Sequence, residues 1–214
     1  MTQVKGLCVM DVDGTLIVEE VIDLLGREIG CEEEISQITS QAMRGELDFE
    51  TSLRARVALL EGLPISVFDT VFKSIHLSKN AQEFISILQK KGILVGLVSG
   101  GFAPIVERLA KSLGITYFSA NQLEVKDGFL TGKSVGEIVT GQVKQATLEK
   151  WRKKSGISKE RTIAIGDGAN DLLMLKSAGC SIAFCAKEIV KSEIACHVDT
   201  RDFLEVLPLI DFLE

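Results

Sequence analysis

The sequence lacks the features of membrane-spanning, secreted and nucleic-acid-binding proteins. No apolar run approaches the roughly 20 residues needed to cross a bilayer, and the N-terminus has no charged and then apolar leader. The formal net charge is −6, and the densest basic stretch, residues 150–154, is interrupted by Trp151 and falls on helical spacing. A polyanion would find no basic field to bind. We therefore expect a cytoplasmic protein that has no membrane and no nucleic acid among its partners.

Cysteine and histidine are also few, and neither is spaced for a metal site. The five cysteines are an odd number, which argues against a disulfide framework. Cys180 and Cys185 lack the C-x-x-C spacing and the nearby histidine pair that a zinc site would need. Both histidines, His76 and His197, lie outside the motifs described below. We expect reduced thiols and structural histidines.

What the sequence does contain is an alternation of short β-like runs and longer helical patterns. Its 214 residues, 46% hydrophobic and 25% charged, suit one α/β core that carries an inserted lobe. The predicted strands are Gly6–Met10, Ile93–Val98, Ile115–Phe118, Thr162–Ile165 and Ser181–Phe184. The predicted helices, each followed by a glycine, are Ala81–Lys91, Phe102–Leu113, Gln142–Ser155 and Asn170–Ala178. This pattern predicts a doubly wound, mainly parallel, Rossmann-like sheet.

Residues 16–75 differ, because helical patterns follow one another there with no strand between them. The predicted helices are Glu19–Ile29, Glu32–Arg44, Asp48–Leu60 and Ile65–Ser74. Such a helical stretch between two strands of one sheet exceeds an ordinary crossover. We predict an inserted helical cap over residues 16–75 and an α/β core over 1–15 and 76–214. A small β-hairpin is predicted at 123–131, where Asp127 and Gly128 would take the positive φ angles of a tight turn.

Two aspartates, Asp11 and Asp13, come directly after the first predicted strand, at the edge where open α/β sheets bind ligands. Acids two residues apart repel each other unless a divalent cation such as Mg²⁺ neutralises the pair. One carboxylate could then attack phosphorus while the other exchanges a proton with the leaving oxygen. Standing alone, the Asp-x-Asp pattern is more often a turn or a helix cap.

Three further segments are expected at the same edge. Ser99-Gly100-Gly101 follows the second predicted strand and offers a hydroxyl and open backbone N–H groups to a phosphoryl oxygen, although a helix cap would look similar. Residues 166–171, Gly-Asp-Gly-Ala-Asn-Asp, follow the strand 162–165 and add two acids and an amide on the metal side of the site. Lys144 precedes that strand and could offset phosphoryl charge, although a lysine taken alone is expected to be exposed.

Together these motifs resemble the haloacid dehalogenase superfamily. The resemblance consists of Asp-x-Asp-Gly-Thr at residues 11–15, a serine at a strand end, a lysine, and Gly-Asp-Gly-x-Asn-Asp, in that order. Through residues 98–102, 125–132 and 183–187 it extends to the phosphoserine phosphatase branch and covers nearly the whole chain. It implies a Mg²⁺-dependent phosphatase that forms an aspartyl phosphate. By position, it makes Asp11 the nucleophile.

The resemblance implies the other catalytic roles in the same way. Asp13 would be the general acid and base, and Ser99, Gly100 and Lys144 would hold the phosphoryl oxygens. The implied Mg²⁺ ligands are the Asp11 carboxylate, the backbone carbonyl of Asp13 and the Asp167 carboxylate. Two more implied residues lie close to the metal and the substrate, Asp171 and Asn170.

The helical cap carries the residues that the resemblance assigns to substrate choice. Glu20 would meet an ammonium group, Arg56 a carboxylate, and Met43 and Phe49 would form apolar walls. A glutamate and a guanidinium together fit a zwitterion, so O-phosphoserine is the implied substrate and the last step of serine biosynthesis the implied reaction. Without the resemblance, these four residues would be interpreted as ordinary surface charges and core.

Two departures and several alternatives remain. Gly14 stands where many members of the branch have serine, and Ser78-Lys79-Asn80 replaces a segment rich in Thr, Glu and Gly. A phosphatase or phosphotransferase acting on another small phosphorylated metabolite is therefore an alternative. Among non-enzymes, a receiver domain would need neither the helical insertion nor Ser99-Gly100-Gly101, and an idle phosphometabolite-binding module would not need both Asp11 and Asp13. A monomer and a homodimer are both open.

Overall fold

The computed structural model describes residues 4–44 and 46–213, with the side chains of Met43 and Leu213 outside the described part. The strands of these residues are β1 (Gly6–Met10), β2 (Ile93–Phe102), β3 (Tyr117–Lys126), β4 (Phe129–Val135), β5 (Thr162–Gly166), β6 (Cys180–Phe184) and β7 (His197–Val198). They form one sheet in the order β4-β3-β2-β1-β5-β6-β7. Neighbouring strands are parallel except for β3 and β4, which are antiparallel. The predicted fold class is confirmed.

Helices cover the sheet and fill the long connection between its first two strands. The α-helices are α1 (Val21–Ile29), α2 (Glu32–Met43), α3 (Phe49–Ala58), α4 (Val67–Lys73), α5 (Ala81–Lys90), α6 (Ala103–Ser112), α7 (Gly141–Lys154), α8 (Leu172–Ser177) and α9 (Glu188–Lys191). Helices α1 to α4 lie between β1 and β2, where inserted helices were predicted. The boundary between core and cap stays a prediction. None of the helices in the described ranges combines the length and apolarity that crossing a membrane requires.

The central strand β1 is buried along its whole length. Successive side chains of a strand point to opposite faces. Leu7 and Val9 therefore pack into one hydrophobic cluster with α7 and α8, while Cys8 and Met10 pack into another with α5 and α6. Because helices cover both faces, the strand is apolar throughout. Its carboxyl end consequently delivers Asp11 to a buried position beside β5.

Strand β2 is longer than predicted and includes Ser99-Gly100-Gly101. The strand runs on to Phe102, and its register with β3 shifts between Val98 and Phe102. The prediction that Ser99-Gly100-Gly101 lies past the strand was therefore wrong. The apolar pattern stops at Val98 because the next three residues have small side chains, but the backbone stays extended.

Strand β3 also continues past its predicted end. It begins at Tyr117 and runs directly into the hairpin with β4, so the predicted strand 115–118 and hairpin form one ribbon. The hairpin turn has the predicted angles, with φ of 52° at Asp127 and 85° at Gly128. Strand β7 and helix α9 were not predicted, because both are too short for a periodic pattern to show. All five cysteines are free thiols, as expected.

The two segments that join the helices α1 to α4 to the sheet run side by side. The N–H of Val18 donates to the carbonyl of His76 over 3.0 Å, and the N–H of Ser78 donates to the carbonyl of Leu16 over 2.9 Å. The carboxylate of Glu19 accepts from the N–H of His76 over 2.9 Å and lies 2.7 Å from its Nδ1. These contacts fix the entry and the exit of the helical segment against each other.

The helical segment also contacts the sheet at the edge strand β4. The N–H groups of Gly62 and Ile65 donate to the carbonyls of Leu130 and Gly128, each over 2.9 Å. The N–H of Leu130 donates back to the carbonyl of Leu63 over 2.8 Å. Backbone groups of an edge strand that would otherwise be open to pairing are covered in this way. The hairpin is thus joined to the helical segment as well as to the sheet.

Candidate active site

Asp11 is the first residue after β1, and its backbone holds the end of that strand against β5. Its N–H donates to the carbonyl of Ile165 over 3.0 Å, and its side chain is buried. Its Oδ1 accepts a hydrogen bond from Lys144 Nζ over 2.6 Å. Burial and the charge of Asp171 raise the pKa of Asp11, and the ammonium of Lys144 opposes them. An ionised Asp11 therefore depends on nearby positive charge.

Lys144 projects from α7 and lies between two carboxylates. Its Nζ donates to Asp11 Oδ1 over 2.6 Å and to Asp171 Oδ1 over 2.7 Å, and the side chain is 0% exposed. Lys144 is not the exposed residue that a lysine taken alone suggests, because α7 packs on the sheet and directs this side chain toward the strand ends, beside the aspartates with which it was predicted to act. Burial alone lowers the pKa of Lys144, but the two carboxylates outweigh it and raise the pKa. The ammonium therefore remains charged.

Three buried acids, Asp11, Asp167 and Asp171, meet where β1 and β5 end. Each offers a carboxylate oxygen within 4.8 Å of the others. Burial and the charge of Asp171 also raise the pKa of Asp167. Ionised carboxylates this close repel one another, and the single charge of Lys144 offsets only part of that repulsion. An all-oxygen set of ligands suits a hard divalent ion, which would offset the rest. These residues fit a metal site.

Asp171 is already engaged within the protein. Its Oδ1 accepts from Lys144, and its Oδ2 accepts from the N–H groups of Asp167 over 3.2 Å and Gly168 over 3.0 Å. Both oxygens of Asp171 thus orient their neighbours. Asp11 and Asp167 are the acids of the group better placed to turn toward a cation, and the supporting place of Asp171 stays a prediction.

The turn after Asp13 packs against Asp167. Thr15 is buried, and its Oγ1 donates to Asp167 Oδ1 over 3.2 Å. No role was predicted for Thr15, although this residue completes the Asp-x-Asp-Gly-Thr motif. Gly14 has a φ of 69°, and a β-carbon there would lie 2.9 Å from Asp167 Oδ2. Glycine at this position, a departure from the branch pattern, therefore suits the local backbone.

Asp13 accepts hydrogen bonds from the start of α1 and from the end of β2. Its Oδ1 accepts from the N–H of Val21 and its Oδ2 from the hydroxyl of Ser99, each over 3.3 Å. A β-carbon on Gly101 would lie 2.2 Å from Oδ2, so only glycine leaves room for this carboxyl group. Burial and the negative charge of Glu20 raise the pKa of Asp13 to about 7. Such a group can give and take a proton near neutral pH.

The end of β2 is held by its own side chain and by β3. Ser99 is buried, and its Oγ accepts from the N–H of Gly101 over 2.8 Å. The carbonyl of Gly100 accepts from Asn121 Nδ2 over 2.7 Å, and Asn121 Oδ1 accepts from the N–H of Val139 over 2.8 Å. Asn121 was not predicted, because its role depends on how β2 pairs with β3. This buried amide fixes the backbone that carries Ser99 and Gly100.

Gly100 brings the helical segment and the sheet together. A β-carbon on Gly100 would lie 3.0 Å from Phe49 Cζ and 3.6 Å from Asn170 Nδ2. Phe49 begins α3, whereas Asn170 belongs to the short helical turn after β5. Two residues predicted at the substrate therefore meet at the end of β2. The side chain of Met43, the other predicted apolar wall, lies outside the described residues.

Glu20 and Arg56 come from the entry to α1 and from the last turn of α3, respectively. Burial raises the pKa of Glu20, and the charges of Lys187 and Arg56 oppose this shift. Burial lowers the pKa of Arg56, and the negative charges of Glu20 and Asp23 oppose this shift. No role was predicted for Asp23. Arg56 Nε donates to the carbonyl of Ser52 over 3.3 Å. The two predicted charges are thus near enough to influence each other.

Comparison with known proteins gives consistent results. The family model of the haloacid dehalogenase-like hydrolases matches residues 8–176. The phosphoserine phosphatase of Streptococcus thermophilus is 54% identical over 211 residues, which cover 99% of this chain and 98% of the relative. The phosphoserine phosphatase of Methanocaldococcus jannaschii is 46% identical over 210 residues, which cover 98% and 100%.

Solved structures of phosphoserine phosphatases have the same fold. A phospho-aspartyl intermediate analogue of one such enzyme is 46% identical, with a TM-score of 0.91 and coverage of 97% of this chain and 100% of the other. A substrate-bound complex is 45% identical, with a TM-score of 0.91 and coverage of 97% and 99%. The chain belongs to the haloacid dehalogenase-like hydrolases, in the branch of the phosphoserine phosphatases.

Proposed function

We propose that this chain is a Mg²⁺-dependent phosphatase that hydrolyses O-phosphoserine to serine and phosphate through an aspartyl phosphate on Asp11. The observation that carries the proposal is the different setting of two neighbouring acids. Asp11 is paired with the buried ammonium of Lys144, whereas Asp13 accepts hydrogen bonds from the hydroxyl of Ser99 and the N–H of Val21. Such a difference suits one acid as the nucleophile and the other as the proton carrier. Relatives named phosphoserine phosphatase support the choice of substrate.

In the first step, the Asp11 carboxylate attacks phosphorus as the bond from phosphorus to the seryl oxygen breaks. Asp13, in its acid form, donates its proton to that oxygen, and serine leaves with a neutral hydroxyl group. The ammonium of Lys144, the hydroxyl of Ser99 and the N–H of Gly100 would hold the phosphoryl oxygens. Fixed donors of this kind stabilise the charge that develops in the transition state.

In the second step, Asp13 acts as a base. Its carboxylate takes a proton from a water molecule whose oxygen attacks phosphorus, and the bond between phosphorus and Asp11 breaks. Phosphate leaves, Asp11 is a carboxylate again and Asp13 again carries its proton. A pKa near 7 suits both halves of this cycle, because neither form of Asp13 is strongly favoured at neutral pH.

The metal would be held by the Asp11 carboxylate, the backbone carbonyl of Asp13 and the Asp167 carboxylate. A bound Mg²⁺ would supply positive charge to the phosphoryl oxygens and orient them for attack. Thr15 and Asp171 keep the Asp167 side chain and backbone in place through their hydrogen bonds.

The helical segment would recognise the amino-acid part of the substrate. Arg56 would pair with the carboxylate and Glu20 with the ammonium group, since opposite charges on two sides fit a zwitterion. Phe49 and Met43 would enclose the carbon chain. Asn170, which lies near Gly100, would contact the phosphoryl end.

The test is phosphate release from four esters with Mg²⁺ present. Phosphoethanolamine lacks the carboxylate of O-phosphoserine, 3-phosphoglycerate lacks the ammonium group, and p-nitrophenyl phosphate lacks both. We expect kcat/KM to be at least about tenfold higher for O-phosphoserine than for each of the others, the effect of one lost charge-assisted contact. EDTA should abolish the activity and added Mg²⁺ should restore it.

Each part of the proposal has its own contrary result. Equal kcat/KM for O-phosphoserine and its truncated analogues would remove the substrate assignment and leave the phosphatase. Activity that survives EDTA would remove the metal. No turnover of any of the four esters would contradict the enzyme assignment itself.

A further inference from the structure

Two side chains from outside the motifs hold the turn that follows the paired acids. Arg201 Nη1 donates to the carbonyl of Gly14 over 2.8 Å. Ser78 Oγ is buried and donates to the carbonyl of Thr15 over 2.7 Å. Arg201 Nη1 also lies 3.5 Å from Ser78 Oγ. Consecutive carbonyls immediately after Asp13 are therefore fixed by donors from the distant residues 78 and 201.

Arg201 is itself held in position by the backbone on both sides. Its carbonyl accepts from the N–H of Lys79 over 3.2 Å, and the N–H of Phe203 donates to the carbonyl of Lys79 over 3.0 Å. Asp202 accepts from Asn80 Nδ2 and pairs with Lys79 Nζ, each over 2.8 Å. We call residues 201–203 together with 79–80 the clasp. The clasp holds the backbone from which the Arg201 guanidinium reaches Gly14.

The turn that the clasp contacts has hydrogen bonds of its own, from the N–H of Ile17 to the carbonyl of Val12 over 3.0 Å and from the N–H of Gly14 to the carbonyl of Glu19 over 3.4 Å, while the carbonyls of Gly14 and Thr15 accept from Arg201 and Ser78. Gly14 has a positive φ of 69°, and the segment from Val12 to Leu16 is an irregular turn rather than a regular helix. The same turn brings Thr15 Oγ1 to Asp167 and sets the backbone of Asp13. A hydrogen bond from a charged guanidinium to a carbonyl is stronger than one between neutral groups, so it restricts the peptide plane.

We propose that Arg201, assisted by Ser78, is a positioning residue for the phosphoryl transfer. It acts through the Gly14 carbonyl, which fixes the direction of the Asp13 carboxyl group and backbone carbonyl and, through Thr15, the direction of Asp167. This inference rests on the proposed function for the reaction, but the contact between Arg201 and the turn does not depend on which ester is the substrate. A displaced turn should slow the chemistry and weaken the metal site, while leaving the amino-acid end unchanged.

A role in folding alone is the competing interpretation, and Arg161 offers a matched control for it. Arg161 Nε also donates to a backbone carbonyl, that of Lys5, over 2.5 Å, and its guanidinium lies over the ring of Phe212. Lys5 precedes β1, whereas Gly14 follows it, so the two arginines hold opposite ends of one strand. Removing Arg161 should affect stability without affecting the turn.

The experiment compares Arg201→Met, Arg201→Lys, Ser78→Ala and Arg161→Met with the wild-type chain. For each, kcat and KM are measured with O-phosphoserine and p-nitrophenyl phosphate, Mg²⁺ affinity by calorimetry, and Tm by thermal unfolding. We expect Arg201→Met to lower kcat about 10- to 100-fold on both esters, the scale of a small misplacement of reacting groups. Its KM for O-phosphoserine should stay within about threefold, since the amino-acid contacts are unchanged.

The remaining variants separate positioning from folding. Arg201→Lys keeps a charged donor, so its log kcat should recover at least about half of the decrease seen in Arg201→Met. Mg²⁺ should bind more weakly to Arg201→Met than to wild type. Arg161→Met should keep wild-type kcat and Mg²⁺ affinity, even if its Tm falls as far as that of Arg201→Met. A folded Arg201→Met chain with wild-type kcat and Mg²⁺ affinity, or an equal loss of kcat in Arg161→Met, would overturn the proposal.

Two outcomes need their own readout. If Arg201→Met does not fold, Ser78→Ala decides, since it removes the other donor to the turn, and wild-type kcat and Mg²⁺ affinity in that variant would overturn the proposal. If the wild-type chain hydrolyses p-nitrophenyl phosphate and not O-phosphoserine, the proposed substrate fails, while the kcat comparison on p-nitrophenyl phosphate still tests Arg201.

Discussion

The candidate site has a phosphate end, formed by Asp11, Lys144 and Asp171, and a recognition end, formed by Glu20 and Arg56. The two ends hold their charged groups in different ways. At the phosphate end, Lys144 is 0% exposed and bridges Asp11 and Asp171 over 2.6 and 2.7 Å. At the recognition end, Glu20 keeps part of its surface open to solvent although the protein around its carboxyl group raises its pKa, and Arg56 donates to a carbonyl of its own helix. Charges at the strand ends are fixed by contacts within the protein, whereas charges on the helical segment can form their strongest contacts with a ligand.

This difference suggests a division of labour. A group that the protein holds rigidly in a buried place can act on the transition state, because little reorganisation is needed when charge develops. A group held loosely at the rim contributes binding that is similar in the ground and transition states. Substitutions at the phosphate end should therefore lower kcat, and substitutions at the recognition end should raise KM.

The largest effect is expected from Asp11→Asn. The amide keeps the shape of the side chain but cannot attack phosphorus, so kcat should fall by at least about 10³-fold, the scale of losing a covalent nucleophile. Because the recognition end is unchanged, O-phosphoserine should still bind with a Kd within about threefold of the wild-type KM. Phosphate release and calorimetry with the ester measure the two quantities. Activity within tenfold of wild type would show that Asp11 is not the nucleophile.

Lys144→Met should damage stability as well as rate. It leaves the carboxylates of Asp11 and Asp171 buried without their common cation, which typically costs about 3–5 kcal/mol. The loss of a fixed positive charge should also reduce kcat about 10²- to 10³-fold. The free energy of unfolding from denaturant titration checks the first figure. Added Mg²⁺ should restore part of the stability.

Lys176 provides the control for Lys144. Its Nζ lies 2.8 Å from Glu193 in an exposed ion pair, so Lys176→Met should change the unfolding free energy by less than about 1 kcal/mol. If Lys144→Met cost no more than Lys176→Met, the contrast between a fixed phosphate end and a loose rim would lose its basis.

Arg56→Ala tests the recognition end. Loss of the guanidinium should raise KM for O-phosphoserine about 10- to 100-fold with kcat within about threefold, if Arg56 binds the carboxylate equally in ground and transition states. Arg54→Ala is the matched control, because Arg54 lies in the same helix and pairs with Glu50 at the surface over 2.7 Å. Phosphoethanolamine has no carboxylate, so its kinetics should not respond to Arg56→Ala. A fall in kcat alone would assign Arg56 to the chemistry.

The phosphate end could be predicted from sequence more fully than its supports. Asp11 and Asp167 follow apolar runs directly, and the carboxyl ends of parallel strands meet at one edge, so their proximity followed from the fold class. The burial of Lys144 did not follow, because a helix pattern does not state which turn faces the strand ends. Its two ion pairs appear only when α7 is placed on the sheet.

Other supports were hidden because they depend on contacts between distant segments. Asn121 holds Gly100 only through the pairing of β3 with β2, and Arg201 reaches Gly14 across 187 residues of chain. Neither residue belongs to a motif with a fixed spacing. The extension of β2 through Ser99 was hidden for a different reason, since small residues interrupt the apolar pattern while the backbone stays extended.

The smallest effect is expected where Glu19 contacts His76 and joins the entry of the helical segment to its exit. Burial alone raises the pKa of Glu19, but hydrogen bonds from His76 outweigh it and lower the pKa below the ordinary value of 4.5. The stabilisation from ionised Glu19 is therefore present above pH 4.5 and is lost as the pH falls through the lowered pKa. Glu19→Gln should destabilise the chain at pH 7 by less than about 1 kcal/mol.

The pH dependence makes this prediction specific. The difference in unfolding free energy between wild type and Glu19→Gln should shrink as the pH is lowered below 4.5 and be absent once Glu19 is protonated in both states. Denaturant titrations at several pH values measure it. A difference that stays constant at low pH would mean that the carboxylate charge is not what joins the entry and exit of the helical segment. A loss as large as that of Lys144→Met would place the main anchor at this connection instead of at the phosphate end.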